Sequence, residues 1–140
     1  MHTTMRQPKY LAASASLLLA LASSASWAAP HTVTVGAGGT LAFSPPTLNI
    51  AAGDTVTFTS DGTGFHNVAS DAGAVTTFRC ANGCDGAGGD GNPSGSAWSA
   101  TVTFPTPGTI GYHCEVHAGL GMVGTINVTV PVDLQSFEID

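Results

Sequence analysis

The sequence predicts an all-β protein, a Greek-key β-sandwich of about seven to eight strands in antiparallel order. Three observations carry that reading. Apolar and polar residues alternate with a period of two through most of the chain after residue 30. Valine and threonine, whose branched side chains suit a half-buried pleated surface, supply most of those positions. Turn-forming residues punctuate the alternation at short, regular spacing, and no stretch keeps a helical period.

The elements follow in order. Residues 31–35 alternate and open the pattern; Pro45-Pro46 then precedes a strand over 47–50, and the Gly53-Asp54 turn precedes another over 55–59. Strands over 65–70, 97–104, 109–114 and 122–130 complete the set. Pro131 ends the last one, because proline has no N–H to give to a ladder. Residues 79–96 interrupt the pattern, being rich in glycine with Asp85, Asp90 and Asn92 among them. Cys80 and Cys84 flank Ala81-Asn82-Gly83, and a turn at Asn-Gly could bring the two sulfurs together as a disulfide that tethers this segment.

At the N-terminus, Arg6 and Lys9 precede an apolar run over 11–22, and Ser26-Trp27-Ala28 is a small-x-small cleavage signal. This predicts a secretory signal peptide over residues 1–28, cleaved after Ala28, since the run is too short to span a bilayer. A twin arginine and a cysteine at the cleavage site are both missing, which argues for ordinary export without a lipid anchor. The expected product is periplasmic or secreted. Its 112 residues suit one domain, over 29–130, with a tail over 131–140 whose role the sequence does not indicate. It keeps all nine acidic residues against one fixed cation, Arg79, for a net charge of −8. That balance excludes nucleic acid as a partner and favours a positively charged one.

Three cysteines in an exported chain leave one over after any pairing, and Cys114 is the odd one. In an oxidising compartment metal ligation gives a lone thiol a reason to stay free. Cys114, His117 and Met122 stand in a Cys-x2-His-x4-Met spacing on one tight loop between two expected strands. With His66 arriving from elsewhere in the fold, one thiolate, two imidazoles and one thioether make the donor set of a trigonal copper site with a weak axial sulfur. Met122 becomes the only methionine once Met1 and Met5 leave with the signal peptide. The competing zinc reading needs a second ligand pair, for which Cys80 and Cys84 are the only candidates, and it leaves His66 and Met122 without roles.

These motifs resemble the cupredoxins, in particular small bacterial plastocyanin- and azurin-like blue copper proteins. The similarity runs from Phe43-Ser44-Pro45-Pro46-Thr47-Leu48-Asn49-Ile50 and Ala52-Gly53-Asp54-Thr55-Val56-Thr57-Phe58 through His66-Asn67-Val68 to Tyr112-His113-Cys114, His117 and Gly121-Met122. The resemblance implies a type 1 copper held by His66, Cys114, His117 and Met122 in an electron carrier that is not an enzyme; the one complete ligand set predicts one copper per chain, and a monomer is expected. It implies that Asn67 links the two ligand segments by hydrogen bonds, and that His117 is the ligand at the solvent edge, surrounded by Ala118, Gly119, Leu120 and Gly121. The net charge of −8, with the small uncharged residues around His117, favours as partner a redox protein with a basic docking face, a cytochrome or a copper enzyme. Val116 stands where plastocyanins usually carry proline, so no photosynthetic partner is implied.

Two other functions use the same residues. A copper chaperone or store would display several methionines and histidines on flexible segments, which this chain lacks. A nitrite-reductase-like subunit would use the His113-Cys114 pair to wire this copper to a second one. That second site normally needs three histidines, and His31 is the only other one free after residue 28, so subunits would have to pool them. Strand alternation points Cys114 inward and His113 outward, onto a possible electron path.

Overall fold

The computed structural model describes residues 27–131, so the expected signal peptide, up to residue 26, and the tail over 132–140 lie outside the described residues. Ten strands form in chain order: β1 (Pro30–Val35), β2 (Phe43–Ser44), β3 (Thr47–Ala51), β4 (Thr55–Ser60), β5 (Val68–Ser70), β6 (Arg79–Ala81), β7 (Gly83–Cys84), β8 (Trp98–Thr103), β9 (Gly108–His113) and β10 (Val123–Thr129). They make a four-stranded sheet, β2-β1-β4-β8, facing a six-stranded sheet, β3-β10-β9-β5-β6-β7. Among the described residues no helix is long and apolar enough to cross a membrane.

Alternation delivers the core. Val33 and Val35 of β1, Val56 and Phe58 of β4, and Trp98, Ala100 and Val102 of β8 are buried on one sheet, and Ile110, Tyr112, Ile126 and Val128 on the other. Phe58, Phe78 and Tyr112 meet between them, with centroids 5.5 Å apart for Phe58–Phe78 and 5.4 Å for Phe58–Tyr112. Fully burying one such ring is worth about 2–3 kcal/mol, so this cluster is a main support of the sandwich. Gly124 lies opposite Tyr112 in the β9–β10 ladder, where any Cβ would collide with the tyrosine ring. Tyr112 accordingly has no access to water, and burial pushes its phenol well above the ordinary value.

Three differences from the sequence reading have physical causes. The sheets are not purely antiparallel, because β1 runs parallel to β4 and β3 parallel to β10. A period of two reports which face of a strand is buried and carries no information about which strand lies beside it. The extra strands over the expected seven to eight are the short β2, β6 and β7, two to three residues each, too brief to show alternation. Finally, the strand expected over 65–70 begins only at Val68; His66 instead exchanges two backbone bonds with Ser94 (3.1 and 3.0 Å) in an isolated bridge.

The glycine-rich segment is partly regular. Cys80 and Cys84 oppose each other across the β6–β7 turn, with Cα atoms 4.1 Å apart. Asn82 bridges to Asp90 beyond that turn.

Candidate metal centre

β9 ends at His113, and the chain then winds into a compact turn. Cys114 N–H donates to the Met122 carbonyl (3.1 Å), Ala118 N–H to the Cys114 carbonyl (2.8 Å) and Met122 N–H to the His117 carbonyl (3.2 Å). A short 3-10 turn over Ala118–Leu120 closes at Gly121, whose φ of 88° is a left-handed conformation that glycine adopts freely. The Cys-x2-His-x4-Met spacing is thus the length of one wound loop leading into β10.

His66 comes to this loop from the segment ahead of β5. Its Nδ1 lies 3.8 Å from Cys114 Sγ and 3.2 Å from His117 Nδ1, and His117 Nδ1 lies 3.6 Å from the same sulfur. His66, Cys114 and Met122 are buried, and His117 is half-buried. Separations of this size suit donor atoms that each stand about 2.0–2.3 Å from one shared ion. Within the described residues, these three side chains form the one group of histidine, cysteine or carboxylate ligands close enough to hold a metal.

The electrostatics agree with that use. Burial, with His117 nearby adding to it, holds His66 below the usual imidazole value, so it is neutral and free to ligate at physiological pH. Its other nitrogen, Nε2, is buried without a hydrogen-bond partner, enclosed by the backbones of Gly36 and Gly64. The ring can therefore turn only Nδ1 toward a ligand. The fit is chemical as well as spatial: a thiol and two imidazoles, with a fully buried methionine closing the loop, are the soft donors that copper takes.

Around them, Asn67 is completely buried; its Oδ1 accepts the Glu115 N–H (2.9 Å), and its Nδ2 donates to Glu115 Oε2 (2.6 Å) and to the Gly91 carbonyl (2.9 Å). These bonds tie the segment that follows His66 to the one that follows Cys114. His113 faces outward, its Nδ1 2.6 Å from Asp71 Oδ1, while Cys114 faces inward. His31 is held elsewhere, its Nε2 2.9 Å from Asp54 Oδ2.

Residues 30–129 match the family described as copper binding proteins, plastocyanin/azurin family. The chain belongs to the plastocyanin/azurin family. The chloroplastic plastocyanin of Physcomitrium patens is 37% identical over 120 residues, covering 85% of this chain and 67% of that protein. Among solved structures, the pseudoazurin from Methylobacterium extorquens AM1 aligns with a TM-score of 0.52 at 26% identity, covering 74% of this chain and 78% of that one. The oxidised plastocyanin of the fern Dryopteris crassirhizoma aligns with a TM-score of 0.51 at 27% identity, over 70% of this chain and 99% of that one. Copper is the cofactor of this plastocyanin/azurin family member, a blue copper electron-transfer protein, and His66, Cys114, His117 and Met122 form its candidate type 1 site.

Sequence reasoning missed the groups that surround the site. Glu115 carries the Asn67 link, and Arg79 in turn holds Glu115 with Nε to Oε1 at 3.0 Å and to Oε2 at 2.9 Å. The available signal was charge: Arg79 is the only lysine or arginine after residue 9. Gly36 and Gly64 carried no signal, since nothing local marks a glycine that must admit a distant imidazole.

Proposed function

We propose that this protein is an exported one-electron carrier in which His66, Cys114 and His117 would hold copper and the buried Met122 would supply a fourth, weaker sulfur donor. The observation that carries the proposal is the convergence of Cys114 Sγ and two Nδ1 atoms within 3.8 Å of one another, from positions 48 and 51 residues apart. Bound copper supplies a one-electron cycle between Cu(I) and Cu(II). The protein's part is to hold soft, largely buried donors in one arrangement, so that little rearranges when the charge changes.

His117 offers the electron a short way out. It is half-buried, and Phe65, Val116 and Leu120, in or beside the ligand segments, are exposed. An uncharged rim of this kind permits close, brief contact with a partner, while the charge of −8 on residues 29–140 attracts a basic docking face at longer range. The partner we propose is a cytochrome or copper enzyme bearing such a face, met by a monomer.

A carrier, rather than an enzyme with a second copper, is favoured by the remaining histidines. His31 and His113 are each engaged by a carboxylate, Asp54 and Asp71. We further propose cleavage after Ala28, a copper domain over 29–130 with a tail over 131–140, a periplasmic or secreted location, and a disulfide between Cys80 and Cys84; the family match over 30–129 and the closeness of the two cysteines support these.

The decisive experiment is absorption and copper analysis of the loaded protein. One copper per chain and an intense thiolate-to-copper band are expected, with the band abolished in Cys114→Ser. Retention of the band in that variant would remove Cys114 from the site and the proposal with it.

A further inference from the structure

Two residues follow the buried ligands directly: Asn67 after His66 and Glu115 after Cys114. Their side chains form a bolt between the two ligand segments, with Asn67 Oδ1 accepting the Glu115 N–H (2.9 Å) and Asn67 Nδ2 donating to Glu115 Oε2 (2.6 Å). An amide bolt needs only a neutral acceptor at position 115. Here the acceptor is a carboxylate, which puts a negative charge beside the copper loop.

That charge is answered by the one fixed cation of residues 29–140. Arg79 Nε lies 3.0 and 2.9 Å from the two Glu115 oxygens, and its terminal nitrogens reach Asp85 Oδ2 (3.0 Å) and Asn92 Oδ1 (2.8 Å). Asp85 Oδ1 accepts the Gly91 N–H (2.8 Å), and the Gly91 carbonyl accepts the second Asn67 N–H (2.9 Å). The hydrogen bonds therefore close on themselves, from Asn67 through Gly91, Asp85, Arg79 and Glu115 back to Asn67. Gly91 packs so tightly on the Arg79 backbone that a Cβ there would strike its carbonyl.

A half-exposed ion pair alone fixes little. A planar guanidinium that must meet three partners at once fixes direction, and lysine cannot reproduce that fork. Asn67, wholly buried, has no water to replace a lost partner.

We propose that Arg79 is a positioning residue of the copper site, holding Glu115 and the Asp85–Gly91 turn so that Asn67 keeps the His66 and Cys114 segments in register, and neutralising Glu115 beside the thiolate. The assignment rests on the copper reading above. It gives Arg79 two separable effects. Its fork governs how firmly copper is retained, and its charge raises the reduction potential, because an unanswered Glu115 carboxylate would favour Cu(II).

The test uses the copper-loaded full-length protein carrying Arg79→Gln, Arg79→Lys or Glu115→Gln, with three readouts: the charge-transfer band, the reduction potential, and the rate of copper release to a chelator. Arg79→Gln should release copper about tenfold faster, the low end of what a ligand-supporting residue costs, and should lower the potential. Arg79→Lys should keep the potential near that of the parent and still release copper faster, since charge survives and the fork does not. Glu115→Gln should raise the potential relative to Arg79→Gln, having no carboxylate to leave unanswered.

Unchanged potential and release in Arg79→Gln, even with a lower melting temperature, would make the network a surface ornament and overturn the proposal. Parent-like copper release in Arg79→Lys would reduce Arg79 to a charge and overturn the positioning role. If Arg79→Gln fails to fold, the lysine and Glu115→Gln variants answer the same questions. Failure of the copper reading is distinguishable, since it appears in Cys114→Ser whatever the Arg79 variants do.

Discussion

At Asp54 a carboxylate withdrawn from water keeps both oxygens in hydrogen bonds, whereas at His66 an imidazole equally withdrawn leaves Nε2 without a partner and turns Nδ1 toward two other heteroatoms. Asp54 Oδ1 accepts the Ala29 N–H (2.8 Å), and Oδ2 meets the Ala51 N–H (3.0 Å) and His31 Nε2 (2.9 Å). Its own backbone N–H donates to the Ala51 carbonyl, and its carbonyl accepts the Phe104 N–H. That corner joins the start of β1, the end of β3 and the end of β8, and every bond is internal. Burial normally costs a polar group dearly unless it is paired. The satisfied site therefore holds the sandwich together, while the incompletely satisfied one stays ready for an ion.

Removing the satisfied carboxylate should give the largest loss of stability. Asp54→Asn keeps the shape but weakens charge-assisted bonds, and should cost about 2 kcal/mol, read by denaturant unfolding of the apoprotein. The copper band should not change. A shifted band with unchanged stability would reverse the division between the two sites.

Acid sharpens the same contrast. The Ala29 N–H holds the Asp54 carboxyl below its ordinary value against the opposing effect of burial, helped by His31 and Ala51. A carboxylate depressed in the folded state contributes stability above its unfolded value, near 3.8, and loses it as pH falls through the lower folded value. Stability measured downward from about pH 5 should thus decline in the parent protein, and Asp54→Asn should show a shallower decline over that window.

At the other site the expected change is in copper, with a smaller effect on the fold. Gly36 has φ of 64° and lies against His66 Nε2, where a Cβ would collide with the ring. Gly36→Ala should displace His66 and weaken copper binding by about tenfold, measured by competition with a chelator, in a protein that still folds. Binding equal to the parent would mean that the ring is not held by its glycine walls.

The smallest effect belongs to Met122, buried but proposed as the weakest of the donors. Met122→Gln offers a harder oxygen, which favours Cu(II), so voltammetry should show a lower potential with copper retained. A raised or unchanged potential would count against ligation by Met122.

Much of the site was legible because its chemistry is local. Cys114, His117 and Met122 lie within nine consecutive residues, and residue type and spacing alone name the candidate donors. Arg79 and Glu115 were not legible, since a charge 36 residues from its partner makes no pattern along the chain. The strand faces could be read from Val33, Val56, Phe58, Ile110 and Ile126, but the parallel pairing of β1 with β4 and of β3 with β10 could not.

By itself, then, the sequence determined which residues turn inward and which atoms can take copper, because side-chain period and donor softness are properties of the residues themselves. Only the tertiary structure decided that β3 crosses to pair with β10, that His66 meets a loop 48 residues away, and that the lone arginine stands behind Glu115. Those outcomes depend on which apolar faces close against each other across the whole sandwich, and no local pattern specifies the partner of a face.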